Sequence, residues 1–283
     1  MKNLNRVLAI HDISGVGKCS LTVALPILSA AGCECAVMPT AVLSTHTGGF
    51  EGFTFRDLTD DMLPMARHWQ AEGITFDALY SGYLGSLGQI GIVREVFDMF
   101  RGQAKLIMVD PVFADHGRLY SRFTEAHVRG MAELCRHADI ITPNRTEAAF
   151  MLGREYKDGI QTEEEVRELL LALASLKVSK IVLTGVQLSE EDYGAACYDC
   201  YTHNIDYAMS RHISGIYHGT GDVFGSFLLG ALMKGKPLSD AMTVAVNCTH
   251  SAIRLTADAG LKPRMGVSFE AVLPAYIKML LPA

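Results

Sequence analysis

His218-Gly219-Thr220-Gly221-Asp222 runs straight into Val-Phe-Gly-Ser-Phe-Leu-Leu-Gly-Ala-Leu-Met, residues 223–233. This is a glycine-rich turn feeding a helical apolar pattern that reaches about Lys234. The first N–H groups of a helix have no partner inside it, and with the helix dipole they make that end attractive to an anion. Gly219 and Gly221 let the backbone approach a phosphate closely, so the turn can stabilise charge on a transferring phosphoryl group. Asp222 then stands where an acceptor hydroxyl would sit. Thr220 or Asp222 as a simple helix cap is the plainer reading, but an Asp beside two glycines at the start of a buried helix is more than a cap requires.

Upstream of this turn, short Val- and Ile-rich runs alternate with longer helical patterns. RVLAI precedes a helix expected over Cys19–Ala31, FDALYSGY precedes one over Leu87–Phe100, and CAVMPTAV, KLIMVDPV, ADIITPN and KIVLTGV follow the same plan. Strands alternating with helices predict an α/β fold, a doubly wound, mostly parallel central sheet with helices on both faces. Tyr193 to Ser210 alternates without a helical period and predicts a small antiparallel edge element. A last long helix is expected from about Asp240 to Asp258. No repeat or linker interrupts the chain, so residues 1–283 read as one domain.

Ligands of such sheets lie beyond the carboxyl ends of the strands. HDISG, STHTGG, SGYLGS, DPVF, TPNRTE and TG all follow apolar runs, so they should meet on one rim with the HGTGD turn.

Bulk properties exclude other classes. The net charge of −6 comes without a basic run, which argues against nucleic acid or an anionic membrane as partner. No apolar run approaches the ~18 residues of a membrane span. The N-terminal apolar stretch meets His11 and Asp12 at once, reads as a first strand rather than a signal segment, and leaves a cytoplasmic location as the expectation. Seven cysteines, an odd number in a chain of 283 residues, read as reduced thiols. Cys197-x-x-Cys200 sits in an alternating stretch without a second ligand pair, so ordinary strand thiols are expected rather than zinc.

Gly219–Asp222 together with Ser44-Thr-His-Thr-Gly48, Ser81–Ser86, Asp110–Phe113 and Thr142–Ala148 resembles the ribokinase-like superfamily, and in particular its pyridoxal kinase branch, over nearly the whole length and in the same order. That resemblance implies an ATP-dependent kinase acting on a small alcohol, most naturally a vitamin B6 compound. It implies Asp222 as catalytic base with Gly219, Thr220 and Gly221 around the phosphoryl group. It implies magnesium organised by Asp110, Asn144 and Glu147, and ATP phosphates near Thr184 and Gly185. Magnesium's preference for oxygen ligands suits those residues, although Asn144 and Glu147 also have the spacing of a capping box. Acceptor contacts are implied for Ser14, Thr47 and Tyr83, with Asp12, Thr45 and His46 as neighbours. A K⁺ requirement and a homodimer are further expectations of the resemblance. A loop over Ala114–Tyr120 is expected to close on the site and keep water out.

Four other readings compete. Ser14-Gly-Val-Gly-Lys-Cys-Ser is a broken P-loop, with Asp12 where the first Gly belongs and Cys19 where a Ser or Thr must follow the Lys. A dinucleotide-binding fingerprint is missing after the first strand. Hydroxymethylpyrimidine as acceptor remains the alternative, because the short first loop departs from the usual pyridoxal kinase form. A non-catalytic binding protein on the same fold would not need Asp222, Asn144 and Glu147 together.

Overall fold

The computed structural model describes residues 4–281. Its strands are β1 (Arg6–Ser14), β2 (Glu34–Leu43), β3 (Phe55–Asp57), β4 (Ala78–Ser81), β5 (Leu106–Val109), β6 (Ala114–Asp115), β7 (Arg118–Leu119), β8 (Ile140–Ile141), β9 (Lys180–Gln187), β10 (Asp192–Asp199) and β11 (Asn204–Arg211). Its α-helices are α1 (Leu21–Ala30), α2 (Thr59–Ala71), α3 (Leu87–Phe100), α4 (Glu125–Cys135), α5 (Arg145–Met151), α6 (Glu163–Leu173), α7 (Thr220–Met233), α8 (Leu238–Asp258) and α9 (Leu273–Leu280).

Nine strands form one sheet in the order β11-β10-β9-β8-β5-β4-β1-β2-β3. From β9 to β2 every neighbouring pair is parallel, as the expected doubly wound layout requires. The expected antiparallel element is present as β9-β10-β11. A second antiparallel edge, β3 on β2, has no sequence signal, since three residues are too few to show alternation.

Alternation along the strands builds two cores, because successive side chains point to opposite faces. Val7, Ala9, Tyr80 and Met108 face α1, α7 and α8, while Leu8, Ile10, Leu79 and Ile107 face α2, α3, α4 and α6. Each large apolar side chain fully buried this way stabilises the fold by about 1.5–3 kcal/mol. Sequential strands lead from β1 to β2 on one side and from β4 to β5 on the other, so the order reverses beside β1 and opens a crevice at the strand ends.

Helix α3 begins and ends where expected. Its N-cap Ser86 accepts from the Gln89 N–H, which leaves no ambiguity at that end. Helix α1 starts later than expected, at Leu21 rather than Cys19. Lys18 and Ser20 adopt positive φ of 52° and 56°, so the chain turns sharply before it can coil. Cys197 lies in β10, but Cys200 falls in the turn that follows it, so the pair does not share a strand. No described helix is long and apolar enough to cross a membrane.

Candidate active site

Helix α7 opens without a side-chain cap. Its N-cap residue, Gly219, has φ of 75°, and a Cβ there would stand 2.3 Å from the Lys18 carbonyl oxygen. Only glycine fits both the left-handed backbone and the close approach. Thr220 turns its hydroxyl back to the Tyr217 carbonyl at 3.3 Å, so its side chain supports the turn. Gly221 is exposed, and its Cα lies beside Asp110. Asp222 follows in the first turn with its side chain 13% exposed. Burial pushes the Asp222 carboxyl up to about 7; the Ser20 backbone N–H works against this and the Asp12 carboxylate adds to it.

Two more carboxyls approach from neighbouring strand ends. Asp110 follows β5 and Glu147 lies in α5, both buried. Burial, then the Glu147 and Asp222 charges, hold Asp110 well above the usual range, with a hydroxyl contact from Thr142 opposing. Burial raises Glu147 to about 8 despite hydrogen bonds from the backbone N–H groups of Asn144, Phe113 and Ala114. No Lys or Arg pairs with Asp110, Glu147 or Asp222 among the described residues. Such a cluster of unneutralised buried carboxyls is costly unless a cation or protons offset it.

Asn144 and Glu147 form the reciprocal capping box that their spacing predicts. Asn144 Oδ1 accepts the Glu147 N–H at 2.9 Å, and Glu147 Oε2 accepts the Asn144 N–H at 2.9 Å. Glu147 Oε1 also accepts from Phe113 N at 2.9 Å, and Asn144 Nδ2 donates to the Ala114 carbonyl at 2.7 Å. These bonds bind the start of β6 to α5. The segment expected to be a closing loop is a two-residue-stranded hairpin, β6-β7, turning at His116 and Gly117. The Gly117 N–H donates to Thr146 Oγ1 at 3.0 Å.

Thr184 and Gly185 are corrected in one respect. The strand does not end at Leu183; β9 continues through both residues to Gln187, with a bulge opposite Gly194 and Ala195. Thr184 N donates to the Pro143 carbonyl at 2.9 Å, which brings this bulge beside Asn144 on the same rim.

The acceptor candidates gather around the ends of β1 and β4. Asp12 takes hydrogen bonds from the Ser14 hydroxyl at 3.0 Å and the Ser20 hydroxyl at 2.6 Å. Ser14 is 1% and Asp12 5% exposed, so these two brace the loop that follows β1 more than they face an open cleft. Burial raises Asp12, with the two serines pulling the other way. Thr45 has a buried hydroxyl without a partner. His46 is locked in one tautomer: its Nδ1 accepts the Gly48 N–H at 3.1 Å, so Nε2 carries the proton and donates to the Arg264 carbonyl at 2.7 Å. Thr47 is exposed and lines an open cleft of about 620 Å³ with Phe50 and Arg264. Tyr83 is half-buried with its ring 5.6 Å from that of Phe123. Burial raises the Tyr83 hydroxyl, and the Asp12 charge adds to this.

Sequence reasoning missed His11, Ser20, His218 and Arg264. His218 packs 5.2 Å from His46, ring to ring, joining the glycine-rich turn to the acceptor loop. It stands first in the HGTGD stretch, and that adjacency was the available signal. Arg264 reaches the site from a short helical turn near the far end of the chain from β1, and nothing local marks it.

A Bacteroides thetaiotaomicron protein described provisionally as a phosphomethylpyrimidine kinase is 37% identical, covering 100% of this chain and 96% of its own, with a TM-score of 0.94. A second crystal form of that protein was obtained with pyridoxal. The pyridoxal kinase of Lactobacillus plantarum is 32% identical over 98% of both chains, with a TM-score of 0.90. The pyridoxal kinase of Sus scrofa is 27% identical across 92% of this chain and 87% of its own. The model of the phosphomethylpyrimidine kinase family matches residues 25–267, most of the length and all but the first of the strand ends that carry the site, and the chain belongs to that family.

Proposed function

We propose that this protein transfers the γ-phosphoryl group of ATP to the 5′-hydroxyl of a vitamin B6 compound, pyridoxal, pyridoxamine or pyridoxine. The observation that carries the reading is the start of α7: an uncapped helix N-terminus with a carboxylate in its first turn, Asp222, that is 13% exposed and has no Lys or Arg partner among the described residues. Asp222 takes the hydroxyl proton as the new O–P bond forms and the bond to the departing ADP oxygen breaks. The backbone of Gly219, Thr220 and Gly221 stabilises the charge on the phosphoryl oxygens. Thr184 and Gly185 lie on the rim where the remaining phosphates of ATP would run.

Magnesium fits the donor set, since it takes oxygen ligands, keeps waters and needs few direct carboxylates. Asp110 would hold it directly. Asn144 and Glu147, whose nearest bonds go to backbone, would order its waters. The bound ion would neutralise developing charge between the phosphates. No group of three or more His, Cys, Asp or Glu placed to hold a metal ion by itself occurs among the described residues.

Tyr83 and Thr47 face the acceptor, with Ser14, Asp12, Thr45 and His46 shaping the floor beneath it. The β6-β7 hairpin folds over the phosphates and limits water. Two supports favour a B6 compound: the pyridoxal kinase of Lactobacillus plantarum at 32% identity and the crystal form of the Bacteroides protein with pyridoxal. Hydroxymethylpyrimidine is the second reading, favoured by the family model itself. All seven cysteines are unpaired, which supports a reducing, cytoplasmic setting. The pyridoxal kinase resemblance supports a homodimer and a K⁺ requirement.

The test is ATP consumption with magnesium and each acceptor in turn: pyridoxal, pyridoxamine, pyridoxine, hydroxymethylpyrimidine and ribose. Highest kcat/KM on a B6 vitamer supports the proposal. Preference for hydroxymethylpyrimidine moves the substrate and keeps the chemistry, and no acceptor-dependent turnover contradicts both.

A further inference from the structure

A buried imidazole stands behind Asp222 without a hydrogen bond to either ring nitrogen. His11 in β1 is fully buried, and its Nδ1 lies 3.8 Å from Asp222 Oδ1. Leaving a buried polar atom unpaired is destabilising. An apolar side chain would fill the same space without that cost, so the placement calls for a reason.

The surrounding packing aims the ring. Tyr80 of β4 presses edge-on against it, with centroids 4.4 Å apart and planes at 72°. Two glycines make the room: a Cβ on Gly82 would stand 2.3 Å from His11 Nδ1, and one on Gly225, a turn beyond Asp222 in α7, would stand 2.4 Å from the Tyr80 hydroxyl. His11 and Tyr80 thus form a wedge between the sheet and the first turn of α7. The ionisable groups that bear on Asp222 are His11 and Asp12 from β1, Cys19 from the loop after it, Tyr80 from β4, Asp110 from the end of β5 and Tyr120 after β7. Among the described residues, His11 is the one Lys, Arg or His with a nitrogen within 4.0 Å of that carboxylate.

We infer that His11 is a positioning residue for phosphoryl transfer: its Nδ1–H points at Oδ1 of Asp222 and holds the carboxylate turned toward the acceptor hydroxyl. The ring is neutral, since burial lowers it to about 3, and the contact is one of an N–H dipole with a carboxylate. A shortening of about 1 Å as the site closes on its substrates makes it a full hydrogen bond. Orientation is where such small displacements matter most.

The inference rests on Asp222 acting as the base, so Asp222→Asn is assayed alongside. His11→Phe keeps a ring of similar shape and removes both nitrogens, whereas His11→Asn places an amide N–H close to where Nδ1 stands. His11→Phe is expected to lower kcat about tenfold or more while both KM values stay within about twofold, with a melting temperature at or above that of the wild type. His11→Asn is expected to recover most of the turnover. Wild-type kcat in His11→Phe, or equal losses in the Phe and Asn variants, overturns the inference. His11→Leu supplies the same comparison if the Phe variant melts below the assay temperature. Full turnover by Asp222→Asn instead overturns the reading of the base, whatever His11 does.

Discussion

Helices α5 and α7 begin on the same rim of the sheet and treat their free N–H groups in opposite ways. At α5 the chain closes its own end: Asn144 and Glu147 exchange hydrogen bonds, and what remains of both side chains binds the backbone at Phe113 and Ala114. At α7 the N-cap is a glycine and no side chain caps the helix. One terminus therefore closes on itself, while the other leaves its first N–H groups without a side-chain cap. The carboxylates differ in the same sense. Glu147 receives three backbone N–H groups, whereas Asp222 receives one, from Ser20.

The largest effect of breaking this contrast is expected at Gly219. Gly219→Ala forces a Cβ against the Lys18 carbonyl in a left-handed backbone, displacing the donors at the start of α7. Turnover should fall by about 10² or more, the scale of a lost oxyanion donor, and steady-state kinetics would show it. Turnover near that of the wild type would mean that the α7 terminus is not the phosphoryl site.

Next in size is the response of the metal-free protein to pH. Asp222 and Glu147 stand at about 7 and about 8 against ordinary values of 3.8 and 4.5, with Asp110 raised as well. A carboxyl raised in the folded state lends stability that is full below its unfolded value and is lost as pH rises through its folded value. Denaturant melts should therefore lose up to a few kcal/mol between about pH 4 and pH 8, with a shallower slope when Mg²⁺ is present. An equal slope with and without the ion would argue against a cation among these carboxyls.

The smallest effect is expected at the closed terminus. Asn144→Ala removes the cap on α5 and the bond to Ala114, which should cost about 1–2 kcal/mol. Limited proteolysis should cut more readily in the 114–120 hairpin, and unchanged cutting would show that the capping box does not hold it.

The same contrast explains what the sequence made legible. The α7 turn could be read because its information is local: two glycines, an Asp and an apolar helix in consecutive positions. Helix α3 was legible from its helical pattern and the β10-β11 pair from alternation. Lys18 and Ser20 adopt left-handed φ without a glycine to announce it, so α1 was expected two residues early. The two-residue strands β6 and β7 pair with one another in a hairpin too short to show alternation. The wedge beneath Asp222 was hidden because His11, Tyr80, Gly82 and Gly225 meet only once β1, β4 and α7 are in register.

The most direct test is Asp222→Asn, measured for ATP affinity and for turnover on pyridoxal. The substitution keeps the shape and removes the proton acceptor. Unchanged ATP binding with kcat lowered by about 10² or more is the predicted result; ATP binding and turnover both equal to those of the wild type would contradict the assignment of the base to the open end of α7.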